Sequence, residues 1–287
     1  MTQYIKPIIP FVGNKSLYYK YINEILDNLI NHDDYIFIDC FGGSGMLSLL
    51  CRDFYINKHK TIPTIIYNDF DDYSSRIEYI PRLNELMNEF NNIIQDKYNK
   101  KSKINDDDKK RIDSLITNND NAIVLSNYLL YMFHKADTID ELKNSPCYYN
   151  RLIKRNLPYT PIYEYFHNIT IEHMDYNELI NKYNEIAKEY DKTLILILDP
   201  PYISTDSGRY KNGLYNNITQ LTDILQLLLN NHYIYFESEK SNIIDIIEFM
   251  NKLTKYPIYE YNSIITNIRN TRSGRTYDYI IYNIPNE

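Results

Sequence analysis

Leu194-Ile195-Leu196-Ile197-Leu198-Asp199-Pro200-Pro201-Tyr202 sets five consecutive aliphatic residues against an abrupt polar and proline stop. An unbroken run of this length fits a short strand buried on both faces, as in a parallel sheet. The prolines end it, since neither donates a ladder hydrogen bond and each fixes its own φ. The corner that results lies at the carboxyl end of a central strand, where open α/β sheets bind ligands. It presents a carboxylate, a carbonyl outside any helix and an aromatic face, a set that suits a planar base carrying an amine. Taken alone, the same tetrad also reads as a surface turn after a strand.

The surrounding chain has an α/β rhythm. Tyr18, Ile22, Ile25 and Leu29 recur at helical spacing and predict a first helix from Lys15 to Ile30. Tyr35-Ile36-Phe37-Ile38 reads as a strand ending at Asp39, Met46 to Phe54 as a helix, and Thr64-Ile65-Ile66-Tyr67 as a second strand ending at Asn68-Asp69. Between them lies Asp39-Cys40-Phe41-Gly42-Gly43-Ser44-Gly45, a glycine turn that follows a strand and opens a helix. Glycines there permit a tight turn and close approach of a ligand, or serve the turn alone. Asp69 stands at the next strand end, where an acidic side chain can accept from both hydroxyls of a ribose. No lysine follows the glycines in a G-K-[ST] arrangement, which disfavours a nucleoside triphosphate site.

From Tyr73 the character changes. Leu83, Leu86, Phe90 and Ile93-Ile94 predict one helix and Ala122 to Lys135 another. The run Asp106-Asp107-Asp108-Lys109-Lys110-Arg111 reads as a solvated helix start or loop, and residues 145–166, with three prolines and several aromatics, as an irregular region. The α/β pattern resumes with helices near 176–190, 218–230 and 242–253 and strands near 194–198 and 233–237. An antiparallel pair closes the chain near 257–267 and 276–284.

The net charge of −7 argues against general adhesion to nucleic acid or acidic membrane. Residues 76–170, however, hold 14 Lys/Arg against 13 Asp/Glu, so the remainder carries the acidity. Cys40, Cys51 and Cys147 form no C-x-x-C pair, and the six histidines form no H-E-x-x-H, so no metal site is expected. His134, His167 and His173 read as packing or surface residues. No apolar run approaches the ~20 residues needed to cross a bilayer, and the amino terminus lacks a secretory pattern. A soluble, intracellular, cytoplasmic protein is the expectation.

With these elements placed, the chain resembles the Dam-like (D12 class) group of adenine-specific DNA methyltransferases. Pro10-Phe11-Val12-Gly13-Asn14-Lys15 is similar to that family's amino-terminal P-G-G-K motif, with Val-Gly-Asn a departure. Asp39 to Gly45 matches its D-x-F-x-G-x-G, His173-Met174-Asp175-Tyr176 resembles its D-F/D-Y step, and Asp199 to Tyr202 is its D-P-P-Y. The four stand in the family's order and cover about two-thirds of the chain. The resemblance implies a Rossmann-like, S-adenosylmethionine-dependent methyltransferase sheet built from residues 1–72 and 169–287. A mostly helical target-recognition domain at 73–168 would be inserted into it.

The resemblance also implies roles. Lys15 and the turn at Gly42, Gly43, Ser44 and Gly45 would hold the methionine part of the cofactor, Lys15 pairing with its carboxylate. Phe11, Gly13, Asp39 and Phe41 belong to the same matched motifs and are further cofactor contacts. Asp69 would hold the ribose, and Asp175 with the Tyr176 backbone the cofactor's adenine; Asp175 reads equally as a helix N-cap. At the corner, Asp199 and the Pro200 carbonyl would accept from the target amine, Pro201 would keep the turn rigid, and Tyr202 would stack on the base. Double-stranded DNA is the implied partner, in some systems with a cognate restriction endonuclease. Candidate DNA contacts are Asn127 and Arg151 in the insert, Arg209 and Lys211 after the corner, and Arg269, Arg272 and Arg275 between the closing strands. The segment 203–216 reads as a lid over a flipped base or as an ordinary loop. Two rival readings remain: a methyltransferase for RNA adenine or a glutamine amide, and a catalytically silent DNA-binding module.

Overall fold

The computed structural model describes residues 7–9, 11, 15, 18–29, 34–94, 97–98, 102–129, 136–145, 148–154, 165–200, 218–238, 243–254, 257–271 and 274–285. In chain order they form α1 (Tyr19–Leu26), β1 (Tyr35–Asp39), α2 (Met46–Lys58), β2 (Thr64–Asn68), α3 (Tyr73–Glu78) and α4 (Ile80–Ile94). Next come α5 (Asp106–Leu115), α6 (Asn119–Leu129), α7 (Ile139–Asn144), α8 (Tyr148–Lys154), β3 (Thr170–Glu172) and α9 (Tyr176–Glu189). The chain closes with β4 (Thr193–Leu198), α10 (Ile218–Asn230), β5 (His232–Ser238), α11 (Ile243–Leu253), β6 (Asn262–Thr271) and β7 (Gly274–Asn283). Two units result. One contains Met1–Lys6, Asn14–Asp71 and Phe166–Glu287, the other Pro7–Gly13 and Asp72–Tyr165.

The first unit is a seven-stranded sheet in the order β3-β2-β1-β4-β5-β7-β6. The first five strands are parallel, and β7 runs antiparallel to both β5 and β6. This is a Rossmann-like sheet with a reversed strand inserted near one edge. Its direction of growth switches between β1 and β4, because β1 continues to β2 and β3 while β4 continues to β5. In such sheets the crevice at the switch is the ligand site.

Each sheet face buries an apolar layer, and the alternation of side chains decides which residue goes where. On one face Tyr35 and Phe37 of β1, Ile195 and Ile197 of β4, and Ile234 and Phe236 of β5 pack with α1 and α2. On the other, Ile36, Ile38, Leu194, Leu196, Leu198, Tyr233 and Tyr235 pack with α9, α10 and α11. Continuing the period past Phe37 and Ile197 carries Asp39 and Asp199 to the α1–α2 face. The strand β3 was not anticipated; three residues carry too little pattern to be recognised.

In the second unit, α4 buries Leu83, Leu86, Met87, Phe90, Ile93 and Ile94, an i, i+3, i+4 stripe. The acidic run at Asp106 is the start of α5, with Asn105 as N-cap accepting from the Asp108 amide at 2.8 Å. Three acidic residues in the first turn suit the positive end of the helix. Asp108 is not solvated, contrary to expectation: it is buried and accepts from the Tyr98 hydroxyl at 2.7 Å. The region 145–166, expected to be irregular, contains α8, whose Tyr148 and Leu152 are buried one turn apart. Residues 7–13, expected with the sheet, belong to this unit. The Tyr73 hydroxyl donates to the Ile9 carbonyl at 2.9 Å, and the Phe11 ring meets Tyr73 edge-on at 5.4 Å. Among the described residues, no helix is long and apolar enough to cross a membrane.

Phe37 is fully buried between α1 and α2, against Tyr35 and Tyr55. Phe37→Ala should cost about 3–5 kcal/mol, read from urea denaturation, because the sheet cannot collapse into the cavity.

Candidate active site

Three carboxylates reach the same edge of the sheet from adjacent strands: Asp69 just past β2, Asp39 at the end of β1, and Asp199 just past β4. Asp39 is completely buried. Its Oδ2 accepts from the Ser48 hydroxyl at 2.9 Å and the Ser48 amide at 3.3 Å, which ties β1 to the first turn of α2. Its Oδ1 has no hydrogen-bond partner. Burial pushes the Asp39 carboxyl up to about 7; the Ser48 hydroxyl and Lys15 oppose the rise and the charge of Asp199 adds to it.

Asp199 is paired with Lys15, Nζ to Oδ2 at 2.7 Å, with side-chain exposures of 9% for the lysine and 18% for the carboxylate. Burial raises the Asp199 carboxyl above its usual range, and Lys15 pulls it back by charge and by hydrogen bond. The lysine ammonium lies 5.7 Å from the Tyr18 ring centre and 5.6 Å from that of Phe236, an apolar lining that strengthens the pair. Pro200 follows, buried.

The glycine turn is tight, with the Gly45 amide donating to the Gly42 carbonyl at 2.7 Å and positive φ at Gly43 (53°) and Gly45 (71°). A Cβ on Gly42 would sit 2.2 Å from the Tyr67 ring, and one on Gly45 2.3 Å from the Phe166 ring. Here the close approach that demands glycine is made by two aromatic rings of the same unit, stacked at 4.7 Å and 15°. The Tyr67 hydroxyl stands 2.7 Å from the Gly43 carbonyl and 2.9 Å from Asp69 Oδ1, so its single proton serves both acceptors. Asp69 is itself fully buried.

Asn68 joins three strand ends. Its amide nitrogen donates to the carbonyls of Cys40 and Met174, both at 3.0 Å, and its oxygen accepts from the Met174 amide at 3.2 Å. The Asp69 carbonyl accepts from His173 Nδ1 at 2.9 Å, which fixes the proton on that nitrogen. Asp175 caps α9, accepting from the Asn177 amide at 2.8 Å, and is exposed. The Tyr176 ring lies against Phe41 at 5.0 Å, and its hydroxyl is 3.4 Å from Asp223.

The structure thus brings Lys15, Asp39, the Phe41–Gly45 turn, Asp69, Asp175, Tyr176, Asp199 and Pro200 into one unit, while Phe11 belongs to the other. Gly13, Pro201, Tyr202, Arg209, Lys211 and Arg272, with the rest of the 203–216 segment, lie outside the described residues. Asn127 is on α6, Arg151 on α8, Arg269 on β6 and Arg275 on β7, and the description does not extend to their side chains. Sequence reasoning missed Ser48, Tyr67, Asn68 and Phe166. Only Asn68 had a local signal, as a polar residue closing an apolar strand. Among the described residues, no group of three or more His, Cys, Asp or Glu is placed to hold a metal ion.

These residues fit S-adenosylmethionine. The orphaned acceptor on Asp39 suits an ammonium group, while Asp69 and Asp175, past the ends of neighbouring strands, would be the acceptors for hydroxyls and an amine. A bound cofactor would supply an electrophilic methyl group on a sulfonium.

Buried acids also set the pH response. Glu237, at the end of β5, is buried, and burial pushes its carboxyl up to about 8 from an ordinary 4.5, with Asp245 adding to the rise. Asp39 rises from 3.8 to about 7. Both folded values lie above the unfolded ones, so the folded chain retains protons that the unfolded chain has released. Stability from this source is lost as pH rises through about 7 and about 8. The thermal midpoint should therefore fall as the pH rises from about 4.5 to about 8, the Asp39 share being spent by about 7, and Asp39→Asn or Glu237→Gln should flatten the fall. A midpoint that climbs over this window would contradict the assignment.

No family model matches the chain. No solved structure matches it. It is 28% identical over 286 residues to a Haemophilus influenzae protein described as "Putative methyltransferase", an alignment spanning 96% of this chain and 90% of that protein. Together with the seven-stranded, mostly parallel sheet, this likeness supports a methyltransferase family for the chain, and with it S-adenosylmethionine as the methyl source.

Proposed function

We propose that the chain is a site-specific DNA adenine methyltransferase of the Dam-like class, moving a methyl group from S-adenosylmethionine to the exocyclic amine of adenine. The observation that carries this reading is the Asp199-Pro200 corner. It places an acceptor carboxylate, paired with Lys15, at the point where the sheet changes direction. The Asp-Pro-Pro-Tyr sequence and the matching motifs around it support the choice of adenine. The rivals acting on RNA or a glutamine amide use a related corner, usually with Asn in the place of Asp199.

The target amine is conjugated with its ring and is a poor nucleophile. Hydrogen bonds from it to Asp199 and to the Pro200 carbonyl favour a pyramidal nitrogen with its lone pair free to attack. Tyr202 fixes the plane of the base by stacking. Positioning and electrostatics then account for most of the acceleration. A base inside a duplex cannot reach a strand end, so it is flipped out at a cost of about a few kcal/mol. The second unit and the arginines Arg269, Arg272 and Arg275, at and between the facing ends of β6 and β7, are the proposed DNA-reading and phosphate-holding parts.

The direct test is single-molecule sequencing of DNA from cells expressing the chain. Methylated adenine at one recurring sequence is expected; label from the cofactor appearing in RNA or protein and not in DNA would overturn the reading. Asp199→Ala should reduce turnover by well over roughly tenfold, ~1.4 kcal/mol, while cofactor affinity holds. Asp69→Ala should weaken S-adenosylmethionine binding by about 1.5–3 kcal/mol in calorimetry. Unchanged affinity would move the ribose contact elsewhere, with Asp71 the first candidate.

A further inference from the structure

We propose that Lys15 is a positioning residue for Asp199: its ammonium keeps this half-buried carboxylate an anion and engages Oδ2, so that Oδ1 is the oxygen offered to the target amine. The inference rests on the methyltransferase reading and assigns Lys15 a task beyond holding the cofactor.

The geometry makes the case. Lys15 lies just ahead of α1 and is itself buried, between the rings of Tyr18 and Phe236, with its nitrogen 2.7 Å from Asp199. An acid at a strand end inside an apolar slot loses its charge unless a cation stands beside it. A neutral acid there would donate a proton where the chemistry needs an acceptor, and the amine lone pair would be engaged rather than freed. Two acids compete for this one cation. Asp39, on the neighbouring strand and the same face, has Oδ2 satisfied by Ser48. Lys15 makes its contact with Asp199. The two carboxyls therefore divide the work: Asp39 takes up a proton as the pH falls, and Asp199 stays charged.

The other charges around Asp199 do not replace Lys15. On β5 the residue facing this side is Phe236, while Glu237 alternates to the opposite face. From α2, Ser48 reaches Asp39. On β7, Asp278 accepts from the Tyr18 hydroxyl at 3.3 Å and is an acid, so it supplies no cation. Among the described residues, Lys15 is the cation that Asp199 touches.

The test compares the intact chain with Lys15→Met, Lys15→Gln and Lys15→Arg, and needs no assumption about turnover. With the aspartate carboxyl carbons labelled by ¹³C, the signal lost in Asp199→Asn identifies Asp199, and its titration is followed in each protein. Without a cation, burial is unopposed, so Asp199 should titrate at higher pH in Lys15→Met and Lys15→Gln and return toward the native position in Lys15→Arg. With cofactor saturating, Lys15→Met and Lys15→Gln should lose roughly tenfold more turnover at about pH 6.5 than at about pH 9, relative to the native chain.

An Asp199 signal unmoved by Lys15→Met and Lys15→Gln, with the defect confined to the KM for cofactor, would overturn the proposal and leave the adenine methyltransferase reading standing. If the native chain methylates no DNA, that reading fails instead, and the carboxyl titration still decides what Lys15 does.

Discussion

Along the seam between Tyr35–Asp39 and Thr193–Leu198, backbone hydrogen bonds hold two parallel strands whose chains then leave in opposite directions across the sheet. Parallel pairing aligns their carboxyl ends, and divergence of the connections leaves those ends uncovered by a crossover. The register sets Asp39 beside Ile197, so Asp199 stands two residues beyond on the same face. A slip of one residue would turn one of the two acids to the opposite layer of helices. The aliphatic residues of both strands, buried against helices on each side, hold the register where it is.

The site's supports differ in kind from its working groups. Asp39 is anchored by Ser48, and Asp199 by Lys15 between two rings. The turn between β1 and α2 is pressed from outside by Tyr67 and Phe166, which leaves no room for side chains at Gly42 and Gly45. Asn68 uses both ends of its amide to tie the ends of β1 and β2 to the chain after β3. An amide carries no charge in either direction of pH, so this link persists while the neighbouring carboxyls gain and lose protons.

The sheet's interior strands were readable because buried parallel strands are written as continuous aliphatic runs, and the turns after them as abrupt changes of residue type. Asp39, Asp69 and Asp199 were legible for the same reason: Asp39 and Asp199 are the first polar residues after such runs, and Asp69 follows Asn68 at the end of another. The smaller elements were not. Thr170–Glu172 is too short to show alternation, and α7 and α8 complete fewer than two turns or barely two. Proline content near 145–166 hid the spacing of Tyr148 and Leu152. The supporting residues were invisible because their roles arise from partners remote in sequence: Asn68 meets Met174 across 106 positions. Lys15 was readable as a cation in a motif, and its partnership with Asp199 required the fold.

The sheet's two outer strands are finished differently. β3 is three residues long, too short to offer an incoming strand a useful ladder. β6 is ten residues long, but its pairing with β7 is interrupted between Ile265 and Asn267, where the Thr266 hydroxyl donates to the Asp278 carbonyl. An irregularity of this sort increases local twist and spoils a flat edge as a template. A sheet this rich in isoleucine and tyrosine invites edge-to-edge association between copies, and a truncated margin on one side with a warped one on the other discourages it.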